Sequence, residues 1–227
     1  RLGLVGIPSC AEVMIVERDL RLAELTGVHY HVSNVSTKET VEVIKRAKLN
    51  GIKITCDTSP PYFSLNELEL STYDTSFKLS PPLRNEEDRI AIQNAIFDDT
   101  IDVITSDHKP MSNDTKILPF TSASRGASGI ETLLPLTLNL LNKSDVSIMN
   151  ILKKITLNPS KLLKVEIPKI RSNEKANFII FDPNEQYLIN KDSLQTSPTP
   201  FHGRPVQGKN YMSMMNGEIV FDNLDLL

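Results

Sequence analysis

Helical and strand patterns alternate along the first quarter of the chain, and this order restricts the possible fold more than any other feature. Residues 10–27 repeat apolar side chains every three or four positions, which predicts an amphipathic helix. Residues 36–50 predict a second helix, while residues 28–35 and 52–56 are strand candidates. Because the connections between these segments are short, the order predicts an α/β fold with a parallel sheet.

Capping patterns mark the predicted starts of three helices. Ser9 is predicted to cap the first helix, with Glu12 reaching back to it. Ser36 and Glu39 form the same pattern before the second helix, and Asn85 is predicted to cap another helix that ends near residue 97. These signals fix where we expect the helices to begin.

Residues 101–110 contain the most informative side chains. An apolar run rich in β-branched residues ends abruptly in Ser106, Asp107 and His108, followed by Pro110. This pattern is typical of a buried strand that carries an acid and an imidazole to its carboxyl end, which is the catalytic face of barrel enzymes. Asp107 is therefore a candidate general base or metal ligand. A turn-forming aspartate after a strand is the structural alternative.

The rest of the chain divides into loops, helices and a β-rich end. Prolines break residues 59–84 into a predicted loop with a short extended piece at 77–79, and the polar loop 109–128 has a length typical of active-site loops. Helices are predicted near 129–142 and 146–157, followed by a short one from Asn158. From about residue 169 the pattern changes to a small β unit with four predicted strands: 178–181, 187–189, 211–214 and 218–221.

Composition restricts partners and compartment. The 227 residues carry a formal net charge of −3 with 40% hydrophobic residues, which is typical of a soluble protein and predicts neither a nucleic-acid partner nor a membrane partner. Cys10 and Cys56 lie far apart and form neither a metal pair nor a disulfide framework, so we expect a reducing cytoplasm. Because the chain begins with Arg1, we expect a processed piece or part of a longer protein.

Several phrases of the sequence occur in one family in the same order. They cover almost the whole chain, which resembles the dihydroorotases of the amidohydrolase superfamily, in particular those of multifunctional or transcarbamoylase-associated complexes. The phrases are Leu2-Gly3-Leu4-Val5-Gly6-Ile7-Pro8, Asn34-Val35-Ser36-Thr37, Phe77 to Arg84, Ile101 to Pro110, Pro119-Phe120, Gly129-Ile130-Glu131-Thr132, Asn158-Pro159-Ser160 and Thr199 to Arg204.

The resemblance implies a fold and a division of the chain. The family has a (β/α)8 TIM-type barrel with a side β-sandwich built from both chain ends. Residues 1–168 would supply the C-terminal half of the barrel, and residues 169–227 a small β domain with a tail that covers the barrel. The segment that would precede this chain carries, in the family, the His-x-His ligand pair of the first strand and the bridging ligand of the fourth.

The resemblance also implies the chemistry. Dihydroorotases catalyse the reversible ring closure of N-carbamoyl-aspartate to dihydroorotate in pyrimidine biosynthesis. Zinc activates the attacking water and polarises the carbonyl group, and an aspartate on the last strand moves the proton. Asp107 matches that aspartate, so we predict that it is catalytic and a possible metal ligand.

Two family metal-ligand positions are substituted. Members of the family have the motif His-Val-Ser-Thr after the fifth strand and Thr-Pro-His-His after the sixth, and the first histidine of each motif is a metal ligand. Here Asn34 and Pro61 occupy those positions. An amide oxygen is a weak, neutral replacement for imidazole at zinc, and proline has no side-chain donor atom. Zinc is thus the cofactor that the resemblance implies, and its binding is predicted to be impaired.

Two family substrate-binding positions are substituted as well. Ser80 replaces an asparagine and Met111 replaces a histidine that contacts substrate. Methionine packs well but cannot donate a hydrogen bond to a carboxylate. The remaining histidines offer no predicted replacement: His29 and His31 are interpreted as packed side chains, and Asn34, an odd number of residues from His31, is expected to point the other way.

Three functions remain open at this point. The first is a dihydroorotase-like protein that has lost zinc catalysis and acts as a structural partner of aspartate transcarbamoylase, or that self-associates. The second is an active zinc-dependent dihydroorotase with an altered metal centre, which acts on its small-molecule substrate. The third is a related amidohydrolase for another cyclic amide, for example a hydantoin-like ring, in which Ser80 and Met111 line a less polar pocket.

Overall fold

Two three-stranded sheets organise the chain in a computed structural model that describes residues 2–143, 145–167, 169–190 and 198–224. Backbone packing divides the chain into two compact units. The first unit comprises Arg1–Leu133 with Asn190–His202, and the second comprises Leu134–Ile189 with Gly203–Leu227. The domain boundary at 168/169 stays a prediction.

The sheet of the first unit is parallel, as the alternating pattern predicts. Its strands are β1 (Tyr30–Val32), β2 (Ile54–Thr58) and β3 (Val103–Ile104), in the order β1-β2-β3. β1 and β3 are shorter than the candidate segments in the sequence, whereas β2 has the predicted length but begins and ends two residues later than predicted. The α/β part of the predicted fold class is confirmed.

Helices follow each strand of this unit. Gly27 ends the first helix in the left-handed conformation at φ 70°, and Asn85 caps the fourth, with its side chain accepting the Asp88 backbone N–H at 2.9 Å. The helices are α1 (Cys10–Thr26), α2 (Lys38–Leu49), α3 (Pro60–Ser64), α4 (Glu86–Phe97), α5 (Asn113–Lys116) and α6 (Ile130–Leu138), with 3₁₀ turns at Glu67–Thr72 and Thr75–Phe77.

The segment predicted as a loop between residues 59 and 84 contains more structure than expected. It holds α3 and both 3₁₀ turns, and in the short extended piece predicted at 77–79, Phe77 ends the second turn while Lys78 is extended. Pro60 and Pro61 stand at the first two positions of α3, where proline fits because the first helical N–H groups have no intrahelical acceptor. Prolines therefore start a helix here instead of excluding one.

Alternation along the strands separates apolar from polar side chains. Cys56 is fully buried, as expected for a small apolar residue, and its neighbours on the other face of β2 are Thr55 and Asp57. In the register of the sheet, Thr55 lies beside His31 and Asp57 lies beside Val103. One face of the sheet consequently gathers the polar side chains of neighbouring strands.

Glu12 of α1 binds the start of α2 instead of capping its own helix. Its Oε1 accepts the backbone N–H groups of Ser36 at 3.1 Å and Thr37 at 3.2 Å, and its Oε2 accepts the Ser36 hydroxyl. Arg84 lies 3.7 Å from the same carboxylate. Ser9 makes no side-chain cap, so the predicted capping box at Ser9 is wrong.

The cap of α2 is also shifted by one residue from the prediction. Thr37 is the N-cap and its hydroxyl accepts the Thr40 backbone N–H at 3.2 Å, whereas Ser36 turns its hydroxyl toward Glu12. A carboxylate at a helix N-terminus also interacts favourably with the helix dipole. Two helices are thus joined through one partly buried carboxylate.

The second unit contains short helices and an antiparallel sheet. Gly208 lies against Leu138, since a Cβ added at Gly208 would lie 2.2 Å from a methyl carbon of Leu138. The elements are a 3₁₀ helix at Asn139–Lys143, α7 (Ile148–Ile155), α8 (Leu157–Leu163), β4 (Phe178–Leu188), β5 (Pro205–Met215) and β6 (Glu218–Asp222), with strand order β4-β5-β6.

The prediction of four strands in this unit is wrong. Segments 178–181 and 187–189 belong largely to one strand, β4, because the expected turn at 182–184 is a bulge in the ladder with β5. The described residues of this unit form a single sheet, so they do not contain a second layer of the predicted sandwich. In the described ranges, every helix lacks the length and apolar character needed to cross a lipid bilayer.

Replacing Glu12 with alanine is expected to reduce the free energy of unfolding by about 2 kcal/mol, because several donors at the start of α2 lose a charged acceptor. Urea denaturation measures the change. Glu17→Ala on the same helix is the control, since Glu17 makes only an exposed 3.4 Å contact with Arg46 and is expected to cost about 0.5 kcal/mol or less. Equal effects of the two substitutions would contradict this role of Glu12.

Candidate active site

Three polar residues meet at the carboxyl ends of the parallel strands. Asn34 follows β1, Asp57 lies in β2 and Asp107 follows β3. Asn34 and Asp107 both have positive φ, 57° and 44°, a conformation that asparagine and aspartate adopt more readily than most residues. The Asn34 Nδ2 donates to Asp107 Oδ1 at 3.1 Å. The expectation that Asn34 turns away fails, because β1 ends at Val32 and strand alternation no longer applies.

Asp57 is the central acceptor of the site, and the sequence reasoning missed it. Its Oδ2 accepts from His31 Nε2 at 2.9 Å, and its Oδ1 accepts the Asn34 backbone N–H at 2.8 Å and the Thr105 hydroxyl at 3.2 Å. The side chain is buried. A carboxylate near the end of a strand is the same signal that identified Asp107, and it would have identified Asp57 as well.

His31 links Asp57 to a second histidine through a threonine. His31 Nδ1 lies 2.8 Å from Thr55 Oγ1, and His29 Nε2 lies 3.0 Å from the same hydroxyl. Because the Asp57 carboxylate only accepts hydrogen bonds, Nε2 of His31 donates to it, and a neutral His31 then accepts from Thr55 at Nδ1. Hydrogen bonds occupy both nitrogens of His31, so the interpretation of His31 as a packed side chain is incomplete.

Lys109 forms an ion pair with Asp107. The Lys109 Nζ lies 2.7 Å from Asp107 Oδ1, the oxygen that also accepts from Asn34. The Asp107 side chain is 8% exposed and the Lys109 side chain is 47% exposed. A buried carboxylate thus has a neutral and a cationic donor on the same oxygen, and the sequence reasoning did not single out the lysine.

A close approach of two loop segments holds the backbone of Lys109. Its N–H donates to Ala127 O at 3.0 Å, and a Cβ added at Gly126 would lie 2.6 Å from Lys109 O. The same added Cβ would lie 3.2 Å from Cε of Met111. Gly126 is therefore required here for space and for its φ of 129°. Met111, the substituted substrate position, packs against this glycine.

His108 orients the next part of the same loop. Its Nδ1 accepts the backbone N–H groups of Gly129 at 3.2 Å and Ile130 at 3.4 Å. A Cβ at Gly129 would lie 2.2 Å from Ser106 O, so the two backbones are in direct contact. Through these hydrogen bonds the His108 side chain holds the backbone at Gly129 and Ile130.

Pro61 lies in the wall of a small cavity that Asp107 also lines. The cavity holds about 10 Å³, enough for about one water molecule. Ser59, which precedes the two prolines, is buried with no hydrogen-bond partner for its hydroxyl. The lining residues are Pro60, Pro61, Leu79, Ser106, Asp107, Ala127, Ser128, Gly129, Thr132, Pro200 and Phe201.

Ser80 is adjacent in the chain to this cavity but does not line it. It follows Leu79, a lining residue, and precedes Pro81 through a cis peptide bond. The Tyr62 hydroxyl donates to Pro81 O at 2.9 Å. Burial, followed by the charge of Asp107, raises the pKa of Tyr62 well above its usual range, so the phenol stays protonated. The substrate roles of Ser80 and Met111 stay predictions.

The described residues do not fit the zinc ion that the resemblance implies. They contain no group of three or more histidine, cysteine, aspartate or glutamate side chains arranged to hold a metal ion. Asn34 turns its Nδ2 to Asp107, and its buried Oδ1 has no hydrogen-bond partner. The family positions thus offer one amide oxygen and one carboxylate already paired with lysine, whereas zinc takes three or four nitrogen, sulfur and oxygen ligands.

The loop 109–128 also contains a buried lysine, Lys116. Lys116 is 4% exposed, and its Nζ donates to Thr75 O at 2.8 Å. Burial lowers the pKa of the Lys116 ammonium from 10.5 to about 8, the charge of Asp74 opposes this shift, and Lys78 adds to it. This lysine ties the loop to the 3₁₀ turn at Thr75–Phe77.

Comparison with known proteins identifies relatives of this chain. The sequence matches the amidohydrolase family over residues 9–220. It is 38% identical over 223 residues to a dihydroorotase of Anaplasma phagocytophilum, covering 97% of this chain and 50% of that protein. The chain spans about half the length of the curated relatives that it matches. The predicted resemblance to dihydroorotases is confirmed.

Two solved structures have a fold similar to that of this chain. The L-hydantoinase of Arthrobacter aurescens superposes with a TM-score of 0.88 at 26% identity, over 97% of this chain and 51% of that one. An inactive dihydroorotase-like domain of a CAD-like multifunctional protein from Chaetomium thermophilum superposes with a TM-score of 0.70 at 18% identity, over 92% and 56% of the two chains. The second likeness concerns the fold alone.

Replacing Asp57 with alanine is expected to lower the free energy of unfolding by about 3 kcal/mol, because three donors lose their acceptor. Asp57→Asn is expected to cost less, since its oxygen still accepts from Asn34 and Thr105. Urea denaturation of both variants measures the difference. An equal loss in both, or no loss in the alanine variant, would contradict the central role of this carboxylate.

The lowered pKa of Lys116 predicts a pH-dependent contribution to stability. Between pH values of about 8 and 10.5 the folded state holds this amine neutral while the unfolded state is protonated, so the free energy of unfolding rises with pH. Lys116→Met should remove that rise when urea unfolding is compared at about pH 7 and about pH 10. Lys53→Met, at an exposed position, is the control and should leave it unchanged.

Proposed function

Because this chain belongs to the amidohydrolase family, we propose that it forms part of a dihydroorotase-like protein of pyrimidine biosynthesis in which zinc catalysis is impaired. One observation carries the proposal: the carboxylate that matches the family's catalytic aspartate is bound by the protein's own groups. Asp107 Oδ1 accepts from both Lys109 and Asn34. In this proposal Asp107 has become part of a structural cluster.

The two substituted ligand positions support the same conclusion. Pro61 has no side-chain atom that can bind a metal, and it lies beside Asp107 in the wall of the cavity. Asn34 uses its amide nitrogen on Asp107. The framework that surrounds these positions is well packed, since Gly126 and Gly129 sit where a side chain would collide with neighbouring backbone. Loss of metal-ligand side chains together with a retained framework is what we expect of a protein with a structural, non-catalytic role.

We further propose that the protein acts as a structural partner of aspartate transcarbamoylase or associates with itself. The support is by analogy: an inactive dihydroorotase-like domain occurs in the CAD-like multifunctional protein of Chaetomium thermophilum, and its fold is similar to that of this chain. In this proposal the protein contributes contacts with a partner instead of turnover. The cytoplasm is the compartment that this proposal assigns to the protein.

An active enzyme with an altered metal centre is the second candidate. Asp107 is retained at the end of β3, and the buried Oδ1 of Asn34 has no hydrogen-bond partner, which leaves one oxygen for a ligand. The substrate would be dihydroorotate or another cyclic amide. A hydantoin-like ring is supported by the likeness to the L-hydantoinase of Arthrobacter aurescens. In this alternative Asp107 moves the proton, and Ser80 and Met111 contact the ring.

Zinc analysis and turnover of the natural-length protein decide between these candidates. We expect substoichiometric zinc and no dihydroorotase activity in either direction, because Pro61 has no side-chain ligand atom and Asn34 offers only a neutral amide oxygen. A dihydroorotase purified and assayed in parallel controls for metal loss during preparation. Stoichiometric zinc together with turnover that Asp107→Asn abolishes would overturn the proposal. Turnover of hydantoins without turnover of dihydroorotate would favour an amidohydrolase for a hydantoin-like ring.

Association is tested separately. Gel filtration and light scattering of the protein, alone and mixed with aspartate transcarbamoylase from the same source, should yield a stable complex or a self-associated species. A protein that stays monomeric in both experiments would contradict the proposed structural role.

A further inference from the structure

We propose that the ammonium of Lys109 is the resident cation of this site and excludes a metal ion from Asp107. The inference deepens the proposed function and rests on it, because it gives a physical reason for impaired zinc binding. It assigns a specific role to a residue that neither the sequence patterns nor the comparisons single out. The role is that of a built-in counter-ion for a buried carboxylate.

Two donors of the protein occupy one oxygen of the Asp107 carboxylate. Lys109 Nζ lies 2.7 Å from Asp107 Oδ1, and Asn34 Nδ2 lies 3.1 Å from the same atom. A carboxylate oxygen has two lone pairs in the carboxylate plane, so these two donors use both of them. A metal ion that binds Oδ1 must displace a lysine or an asparagine.

The second argument is electrostatic. The Asp107 side chain is 8% exposed, and a buried carboxylate needs a partner of opposite charge or several hydrogen bonds to remain charged. Lys109 supplies that charge at hydrogen-bonding distance. A divalent cation approaching the same carboxylate would meet an ammonium group within a few ångströms, and like charges at this separation repel strongly in a partly buried site.

The third argument is that the fold positions both donors. The Lys109 N–H donates to Ala127 O at 3.0 Å, and the backbone of Gly126 packs so closely that a Cβ added there would lie 2.6 Å from Lys109 O. Asn34 is held through its own backbone N–H, which donates to Asp57 Oδ1 at 2.8 Å. The backbone contacts therefore place Lys109 beside Asp107, although the Lys109 side chain is 47% exposed.

A double-mutant cycle on the natural-length protein tests the charge pairing. Lys109→Met is expected to lower the folding equilibrium constant about tenfold, because the stem is kept and only the charged donor is lost. In an Asp107→Asn background the same substitution should change it by no more than about twofold, since no charge remains to compensate. Lys109→Arg should restore most of the wild-type value. Urea unfolding at fixed pH measures the four proteins of the cycle and the Lys109→Arg variant.

The matched control is the surface pair of Lys45 and Asp98. Their atoms are 2.6 Å apart, but both side chains are well exposed, at 56% and 42%. Lys45→Met is expected to change the folding constant by about twofold or less. A Lys109 effect as small as that of Lys45, or one that persists unchanged in the Asp107→Asn background, would overturn the proposal.

Equilibrium dialysis with Co²⁺ alone tests exclusion of the metal. Lys109→Met is expected to bind Co²⁺ on the order of tenfold more tightly than the wild type, because the competing charge is gone. The gain should be lost in the Asp107→Asn/Lys109→Met double variant. Equal uptake by the wild type and Lys109→Met, including no uptake by either, contradicts the proposal.

The two proposals fail in different ways. Zinc content and turnover of the wild type decide whether catalysis is impaired, and they do not depend on Lys109 variants. A zinc-free, inactive wild type without coupling between Lys109 and Asp107 would remove only the counter-ion role. An active, zinc-loaded wild type would remove the proposed function, and the cycle would still report whether the two charges are paired.

Discussion

The carboxylate of Asp57 is the interaction on which the polar side of the first unit depends. It accepts hydrogen bonds from His31 in β1, from Asn34 two residues after β1, and from Thr105 directly after β3. A buried charge is stable only when it is fully hydrogen bonded, so these contacts favour a single arrangement of the three strand ends. Neighbouring strands are thereby joined on one face of the sheet.

The arrangement of Asn34 and Asp107 follows from that constraint. With its backbone N–H bound to Asp57, Asn34 adopts a left-handed conformation and directs its amide to Asp107. Asp107 then pairs with Lys109, whose backbone is held by the glycine-containing loop. The charges of this region are compensated by protein groups, and this internal compensation is the physical basis of the proposed loss of zinc catalysis.

Local patterns predicted much of the fold, and failures occurred where a distant partner changes the local choice. The alternating order predicted the parallel sheet, and the cap at Asn85 was correct because its hydrogen bond lies within four residues. Glu12 was assigned to its own helix, but it satisfies the start of α2 because two N–H groups and a hydroxyl converge there. The turn expected at 182–184 became a bulge because β5 continues beyond it.

The amino-acid sequence by itself determined the family, the α/β class and the position of Asp107 after a buried strand, since these depend on residue order and on local apolar patterns. It also determined that Pro61 supplies no ligand atom. Only the tertiary structure decided that Asp57 is the central acceptor, that Asn34 faces Asp107, and that Lys109 lies 2.7 Å from the Asp107 carboxylate. Those relations join residues from separate strands and loops, and their distances are set by the packing of the sheet.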